Sequence, residues 1–281
     1  MMETPSKTTS TINQFGVDTR LWKIELELLQ SFHEFCISNQ LNYYIVCGTA
    51  LGAARHSGFI PWDDDVDVAM MREDYNKLLS LADKFNSKYK LVCYENTPSY
   101  QYQWAKLEYL NSKVIEFNYP KGPHGGIYID IFPLDGYPTS YKAAKHKMNK
   151  NIWWKIKCNA LHGYHTGVWY LKWFWPSLGF FLRLKYKNTV LFHERWDKLF
   201  SSETNNSLII ADQFGADMNE VMEKSIYGKP TPIKFENLTL FAPEHIDQYL
   251  TKVYGNWREF PPVEKRQAAH GYSFSIEDDI V

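Results

Sequence analysis

Residues 63–71 read DDDVDVAMM: four aspartates in five positions run straight into an apolar segment. Few folds tolerate that. A strand alternates its side chains between two faces, so a strand from Asp65 to Met70 points Val66 and Val68 into a core while Asp65 and Asp67 share the other face. The two carboxylates then stand about 7 Å apart along the strand. Like charges side by side are unfavourable without a cation between them. A divalent ion that prefers oxygen ligands, Mg2+ or Mn2+, meets that need. The run therefore asks for a sheet that buries the valines and for a cation beside the aspartates.

The stretch upstream, CGTALGAARHSGFIPW (residues 47–62), supplies the other half of a site. Asn42–Cys47 reads as a short strand, broken by Gly48 and Thr49, and Ala50–Arg55 as a short helix. Glycine after a buried strand lets a ligand approach the backbone closely. The N–H groups that open the helix suit a phosphate, and Thr49 adds a hydroxyl. Arg55 and His56 are placed to meet phosphates or to pair with the aspartates. A phosphate cradle beside paired carboxylates is what metal-assisted phosphoryl transfer requires. A third carboxylate, Asp130, stands between Ile129 and Ile131 in GGIYIDIFPLDG. An aspartate inside an apolar run is costly unless paired or metal-bound, so Asp130 is the natural third ligand, or the base that takes a proton from an attacking hydroxyl. Asp135, after Pro133, is expected to be a structural cap.

The rest of the chain frames these motifs. Asp18 caps a helix predicted over 18–39, whose Leu21, Ile24, Leu28, Phe32 and Phe35 recur at helical steps. A helix is predicted over 73–85, and strands over 89–94, 102–107, 114–117 and 127–132. The fold class expected is mixed α/β (α+β). From Gly136 to His193 there is no acidic residue but ten Lys and Arg, and half of the tryptophans. This stretch reads either as a helical subdomain or as a segment lying on an anionic membrane face. Its centre, VWYLKWFWPSLGFFLRL, carries Lys172 and Pro176 and makes a poor membrane span. The organisation expected is a flexible arm over 1–17, a catalytic core over 18–135, a basic aromatic-rich helical insert over 136–193, and a C-terminal helical region over 194–281. Net charge is −1, so no global field draws the protein to nucleic acid. Cys36, Cys47, Cys93 and Cys158 show no CxxC or zinc-ribbon spacing. With no leader-like N-terminus, they read as reduced thiols of a cytoplasmic protein.

GTALGAARHSGFIPWDDDVDVAMMREDY closely resembles the LicD family of phosphocholine transferases, which includes the fukutin-related proteins. WAKLEYLNSKVIE, GGIYIDIFPLDG and YLTKVYGNWREFPPVEKRQAAHGY agree in order, so the resemblance runs over roughly residues 20–275. It implies a nucleotidyltransferase-like core and transfer of a phospho-alcohol, typically phosphocholine from CDP-choline, to a glycan hydroxyl of a cell-surface polysaccharide, with CMP leaving. Carried over by position, Asp65 and Asp67 look like the metal ligands, with Asp130 as the third acidic residue. Gly48 and Thr49 match the phosphate-facing turn, Lys106 a phosphate contact and His270 a recurring C-terminal histidine. Three rival readings remain at this stage: nucleotidyl transfer releasing pyrophosphate, use of CDP-glycerol or CDP-ribitol, and a non-catalytic glycan-binding protein.

Overall fold

The structure is a computed structural model and describes residues 11–119, 122, 125–165, 173–186, 188–201, 207–212, 218–268 and 271–277. The first helix, α1 (Thr19–Asn39), opens where predicted: the Asp18 carboxylate accepts the Arg20 N–H. It buries Leu21, Ile24, Leu28, Leu29, Phe32 and Cys36, a stripe at three- and four-residue steps. The chain leaves the helix through Gln40, in the left-handed conformation at φ 54°. There follow β1 (Tyr44–Ile45), α2 (Cys47–His56), β2 (Asp67–Met71) and α3 (Arg72–Ser80). Next come β3 (Tyr89–Val92), β4 (Ala105–Tyr109), β5 (Ser112–Glu116) and β6 (Ile127–Tyr137).

The main sheet runs β1-β2-β6-β4-β3. Strands β2 and β6 pair in parallel; β1 with β2, β4 with β6, and β3 with β4 are antiparallel. The second half of β6 pairs with β7 (Ile209–Asp212), which in turn pairs with β8 (Met222–Glu223). The mixed α+β class expected from sequence is the one found. Along β6, Ile127, Ile129 and Ile131 are buried while Tyr128, Asp130 and Phe132 are half-buried. One face of the strand therefore belongs to the core and the other to the site.

Three local expectations are corrected. The strand carrying the aspartates begins at Asp67 rather than Asp65, and Asp63–Val66 form the loop leading into it. No turn follows Pro133, which lies inside β6 in register with Met70. Asp135 is accordingly no cap. It is fully buried, accepting from Arg72 Nε at 2.8 Å and forming a second, short bond with Arg72 Nη2. Asp197 takes the remaining guanidinium nitrogen at 3.0 Å. Burying an arginine demands such charge compensation, and here it ties α3, β6 and α6 (Thr189–Ser201) together.

The basic stretch is helical as expected: α4 (Tyr141–His162), α5 (Phe174–Lys185) and α6. Cys158, Leu161, Leu182, Phe192, Trp196 and Phe200 form its own small core. Trp173, Phe180, Phe181 and Leu184 remain exposed. No described helix is long and apolar enough to cross a membrane. The C-terminal region over 194–281 is expected to be helical. It does contain α7 (Lys224–Tyr227) and α8 (Ile246–Tyr254), but also β7, β8 and a hairpin of β9 (Thr231–Phe235) with β10 (Leu238–Ala242). These strands are only two to five residues long, too short for the alternating pattern to stand out in the sequence. Finally β11 (Tyr272–Ile276) returns to pair with β5.

Candidate active site

Asp67 and Asp130 are Cα partners across the parallel β2–β6 pair, and Lys106 of β4 is the partner of Asp130 on the other side. Paired residues share a sheet face, so two carboxylates and an ammonium form one row across three strands. Their register is fixed by backbone bonds. The Asp67 N–H donates to Thr49 Oγ1 at 2.8 Å, the Val46 N–H to the Asp67 carbonyl at 3.1 Å, and the Asp130 N–H to the Val66 carbonyl at 2.9 Å. The loop before β2 is held as firmly. Trp22 Nε1 donates to the Asp63 carbonyl at 2.8 Å, and the Tyr272 hydroxyl to the Asp64 carbonyl at 2.7 Å.

Asp130 is oriented by two cores of positive potential. Trp104 Nε1 donates to its Oδ1 at 2.5 Å, and Lys106 Nζ lies 3.6 Å from the same oxygen. Burial nonetheless raises the proton affinity of Asp130 above the ordinary carboxylate value. Lys106 and Trp104 oppose that rise, while Asp65 and Glu116 add to it. Asp67 is shifted in the same direction, well above the usual range, by burial and then by Asp65, Asp130, Asp63 and Asp212. Among the described residues none donates a hydrogen bond to the Asp67 carboxylate. A carboxylate without donors, surrounded by further carboxylates, is the environment a hard cation relieves. That donor set fits a divalent ion. Asp65, Asp67 and Asp130 make a wider constellation than a closed chelate: among the described residues, the one trio with ligand atoms all within 4.8 Å of one another is Cys158, His162 and His193.

Asp63, Asp65 and Asp67 line one wall of a cavity of about 570 Å³. Cys47, Gly48, Arg55, Trp62, Tyr254, Trp257 and Phe260 complete much of the rest. A Cβ at Gly48 would stand 2.4 Å from Asp63 Oδ2, so a larger residue there would displace that carboxylate. The helix expected over 50–55 starts earlier, at Cys47, whose own φ is +48°. This puts Gly48 and Thr49 in the first turn. Thr49 is buried and does not line the cavity; its Oγ1 accepts the Asp67 N–H. Arg55 does line it, donating to the carbonyls of Trp257 (3.2 Å) and Glu259 (3.4 Å), with its guanidinium 4.7 Å from the Phe260 ring centre. Arg266 lies 5.3 Å from the same ring. His56 sits behind Arg55, accepting from its Nε at 3.1 Å, and burial followed by the Arg55 charge lowers its proton affinity. Lys106 does not line this cavity. It is buried between the rings of Tyr102 and Tyr128 and bonded to Glu116 at 3.3 Å, which makes it the counter-charge of Asp130. His270 lies outside the described residues.

Sequence reasoning missed Asp63, Asp212, Trp104 and the Trp257–Phe260 rim. Trp104 opens the WAKLEY segment and the rim lies in GNWREF, both within stretches already singled out. Asp212 carries no local signal: it reaches Asp67 only through the pairing of β7 with β6.

With this geometry in place, comparison with known proteins is informative. Residues 40–165 match the LicD/FKTN/FKRP nucleotidyltransferase domain. The chain is 26% identical over 253 residues to the lipopolysaccharide cholinephosphotransferase LicD of Haemophilus influenzae, covering 87% of this chain and 92% of that protein. It is 33% identical over 115 residues, 41% of this chain and 40% of the other, to the uncharacterized protein RP689 of Rickettsia prowazekii. The matched segment spans α2, β2, β4 and β6 and includes Asp65, Asp67 and Asp130, so the site lies in the part of the chain that is similar to the LicD/FKTN/FKRP nucleotidyltransferase domain.

Proposed function

We propose that the protein is a phosphotransferase that moves a phospho-alcohol, phosphocholine in the first instance, from a CDP-alcohol to a hydroxyl of a cell-surface glycan, releasing CMP. The supporting observation is Asp67: a carboxylate with no hydrogen-bond donor among the described residues, next in register to Asp130, on the wall of a cavity that also presents Arg55. Asp65, Asp67 and Asp130 would hold Mg2+ or Mn2+, which when bound neutralises diphosphate oxygens and the charge that develops on the leaving phosphate. Trp104 and Lys106 fix the orientation of Asp130. The raised proton affinity of Asp67 and Asp130 suits either carboxylate to accept the proton of the attacking hydroxyl. Arg55 faces the cavity, where its guanidinium offers a planar donor pair to phosphate oxygens. Gly48 keeps that wall open to a bulky ligand.

Incubation with a divalent ion, a panel of CDP-alcohols and a glycan acceptor tests the reading. CMP release that depends on the acceptor is expected, fastest with CDP-choline. Pyrophosphate as product would replace this reading with nucleotidyl transfer, and turnover restricted to CDP-glycerol or CDP-ribitol would replace the alcohol.

The lipopolysaccharide substrate of the Haemophilus relative gives the α5 face a role. Trp173, Phe180, Phe181 and Leu184 are exposed beside Arg183 and Lys185, the composition of an interfacial helix. In this proposal the face rests on an anionic membrane and brings the site to a lipid-linked acceptor. The protein should sediment with vesicles containing anionic lipid, and Phe180→Glu with Phe181→Glu should abolish that. Equal sedimentation of the double variant rejects membrane contact through α5.

A further inference from the structure

We propose that Cys158, His162 and His193 form a zinc-type metal site that joins α4 to α6. Cys158 and His162 are four residues apart on α4, on one helix face. His193 reaches them from α6. The Nε2 atoms of the two imidazoles lie 3.0 Å apart, and Cys158 Sγ lies 4.0 Å from His193 Nε2. A tetrahedral zinc ion, with bonds of about 2.3 Å to sulfur and about 2.0–2.1 Å to nitrogen, separates its ligands by roughly 3.3 Å (N–N) and 3.6 Å (S–N). Each observed separation is within half an ångström of that geometry. A thiolate with two imidazoles is also the donor set that selects zinc over magnesium.

The surroundings orient the donors. His193 Nδ1 lies 2.7 Å from Gln103 Oε1, while Gln103 Nε2 donates to the His193 carbonyl at 3.1 Å. The second bond fixes which end of the Gln103 amide faces the ring, so Nδ1 carries the proton and Nε2 turns its lone pair to the trio. This is the outer-shell arrangement by which proteins set a metal-binding imidazole. The His162 ring is similarly held by the Ser99 backbone. Cys158 and His193 are almost fully buried, at 2% and 1% exposure. Binding releases the Cys158 thiol proton to solvent and forms one metal–sulfur and two metal–nitrogen bonds. A fourth position is left for water. The site lies against the segment that runs from Ser99 through Gln101, whose carbonyl accepts from Cys158 Sγ at 3.4 Å, and Gln103 to Trp104, the residue bonded to Asp130. A metal here would join α4 to α6 and, through the bonds between Gln103 and His193, steady the segment that leads to the side chain orienting the third aspartate.

The experiment uses the full chain, stripped by a chelator and reloaded with zinc or cobalt(II). One equivalent of zinc should be retained after dialysis, and the cobalt form should show a thiolate-to-cobalt charge-transfer band with tetrahedral visible bands. Cys158→Ser should remove the charge-transfer band. Gln103→Leu should weaken zinc binding by about 10–100-fold. Asp67→Asn and Cys47→Ser should leave the spectrum unchanged, which separates this site from the aspartate cluster. A folded wild-type chain that gives no thiolate band and retains no zinc overturns the proposal, as does a Cys158→Ser variant that keeps the band. The wild-type spectrum decides alone if that variant does not fold. In either negative case the trio is a neutral, hydrogen-bonded pair of histidines packed on a thiol.

Discussion

Asp67→Asn is expected to raise the stability of the metal-free protein at neutral pH while reducing transfer by about a thousandfold or more. The activity loss follows from the proposed function, in which Asp67 would hold a cation that supplies several kcal/mol of transition-state stabilisation. The stability gain follows from linkage. Burial and then Asp65, Asp130, Asp63 and Asp212 raise the proton affinity of Asp67 in the folded state. The native protein therefore binds that proton more tightly than the unfolded chain. The contribution of Asp67 to stability is fully present below the unfolded-chain value and is lost as pH rises through the raised native value. At neutral pH the aspartate is thus a liability that a neutral amide lacks. Thermal melts of the two proteins across pH, with and without Mg2+, check this. The metal-free melting temperature should rise in the variant, and the Mg2+-induced increase of the parent should vanish. A variant that melts lower than the parent at neutral pH, or that keeps both its turnover and its Mg2+ response, refutes the assignment of Asp67.

Asp135→Ala should destabilise the fold by about 3–5 kcal/mol, because it strands a buried guanidinium. Arg72 and Asp135 are 6% and 0% exposed, so neither is solvated when its partner goes. Asp197, bonded to Arg72 at 3.0 Å, retains part of the compensation and sets the loss toward the lower end of that range. Asp197→Ala should cost less, since its side chain is 25% exposed and Asp135 remains. The ion pair adjoins the last register pair of β2 and β6, Met71 with Leu134, so loosening it also loosens the frame of Asp67 and Asp130. Denaturant unfolding of the three proteins gives the ordering. A loss below about 1 kcal/mol for Asp135→Ala would show that the pair is replaceable.

Local chemistry was legible where one segment carried both pattern and cap. Asp18 and the apolar stripe of α1 place the first helix within a residue of where it lies. The Ile127-Ile129-Ile131 alternation announces β6, and with it the awkward position of Asp130. Roles set by tertiary partners were not legible. Thr49 looks like a phosphate donor in GTALGAAR, yet the helix starts two residues earlier and turns its oxygen onto Asp67. Lys106 looks like a ligand contact in AKLEY, yet the pairing of β4 with β6 sets it against Asp130 and Glu116. Asp135 looks like a cap after a proline, yet β6 runs through Pro133 and delivers it to Arg72. Cys158, His162 and His193 join two helices whose spacing carries no metal motif, so their meeting appears only in three dimensions.

The acidic loop is gripped from both extremities of the polypeptide: Trp22, near the beginning, holds Asp63, and Tyr272, near the end, holds Asp64. The first turn of α2 depends in the same way on the hydroxyl of Tyr249, which takes the Cys47 N–H at 2.9 Å. None of these three side chains falls within the 40–165 stretch shared with the family. The loop that carries the aspartates is complete only when β11 has brought Tyr272 against Asp64.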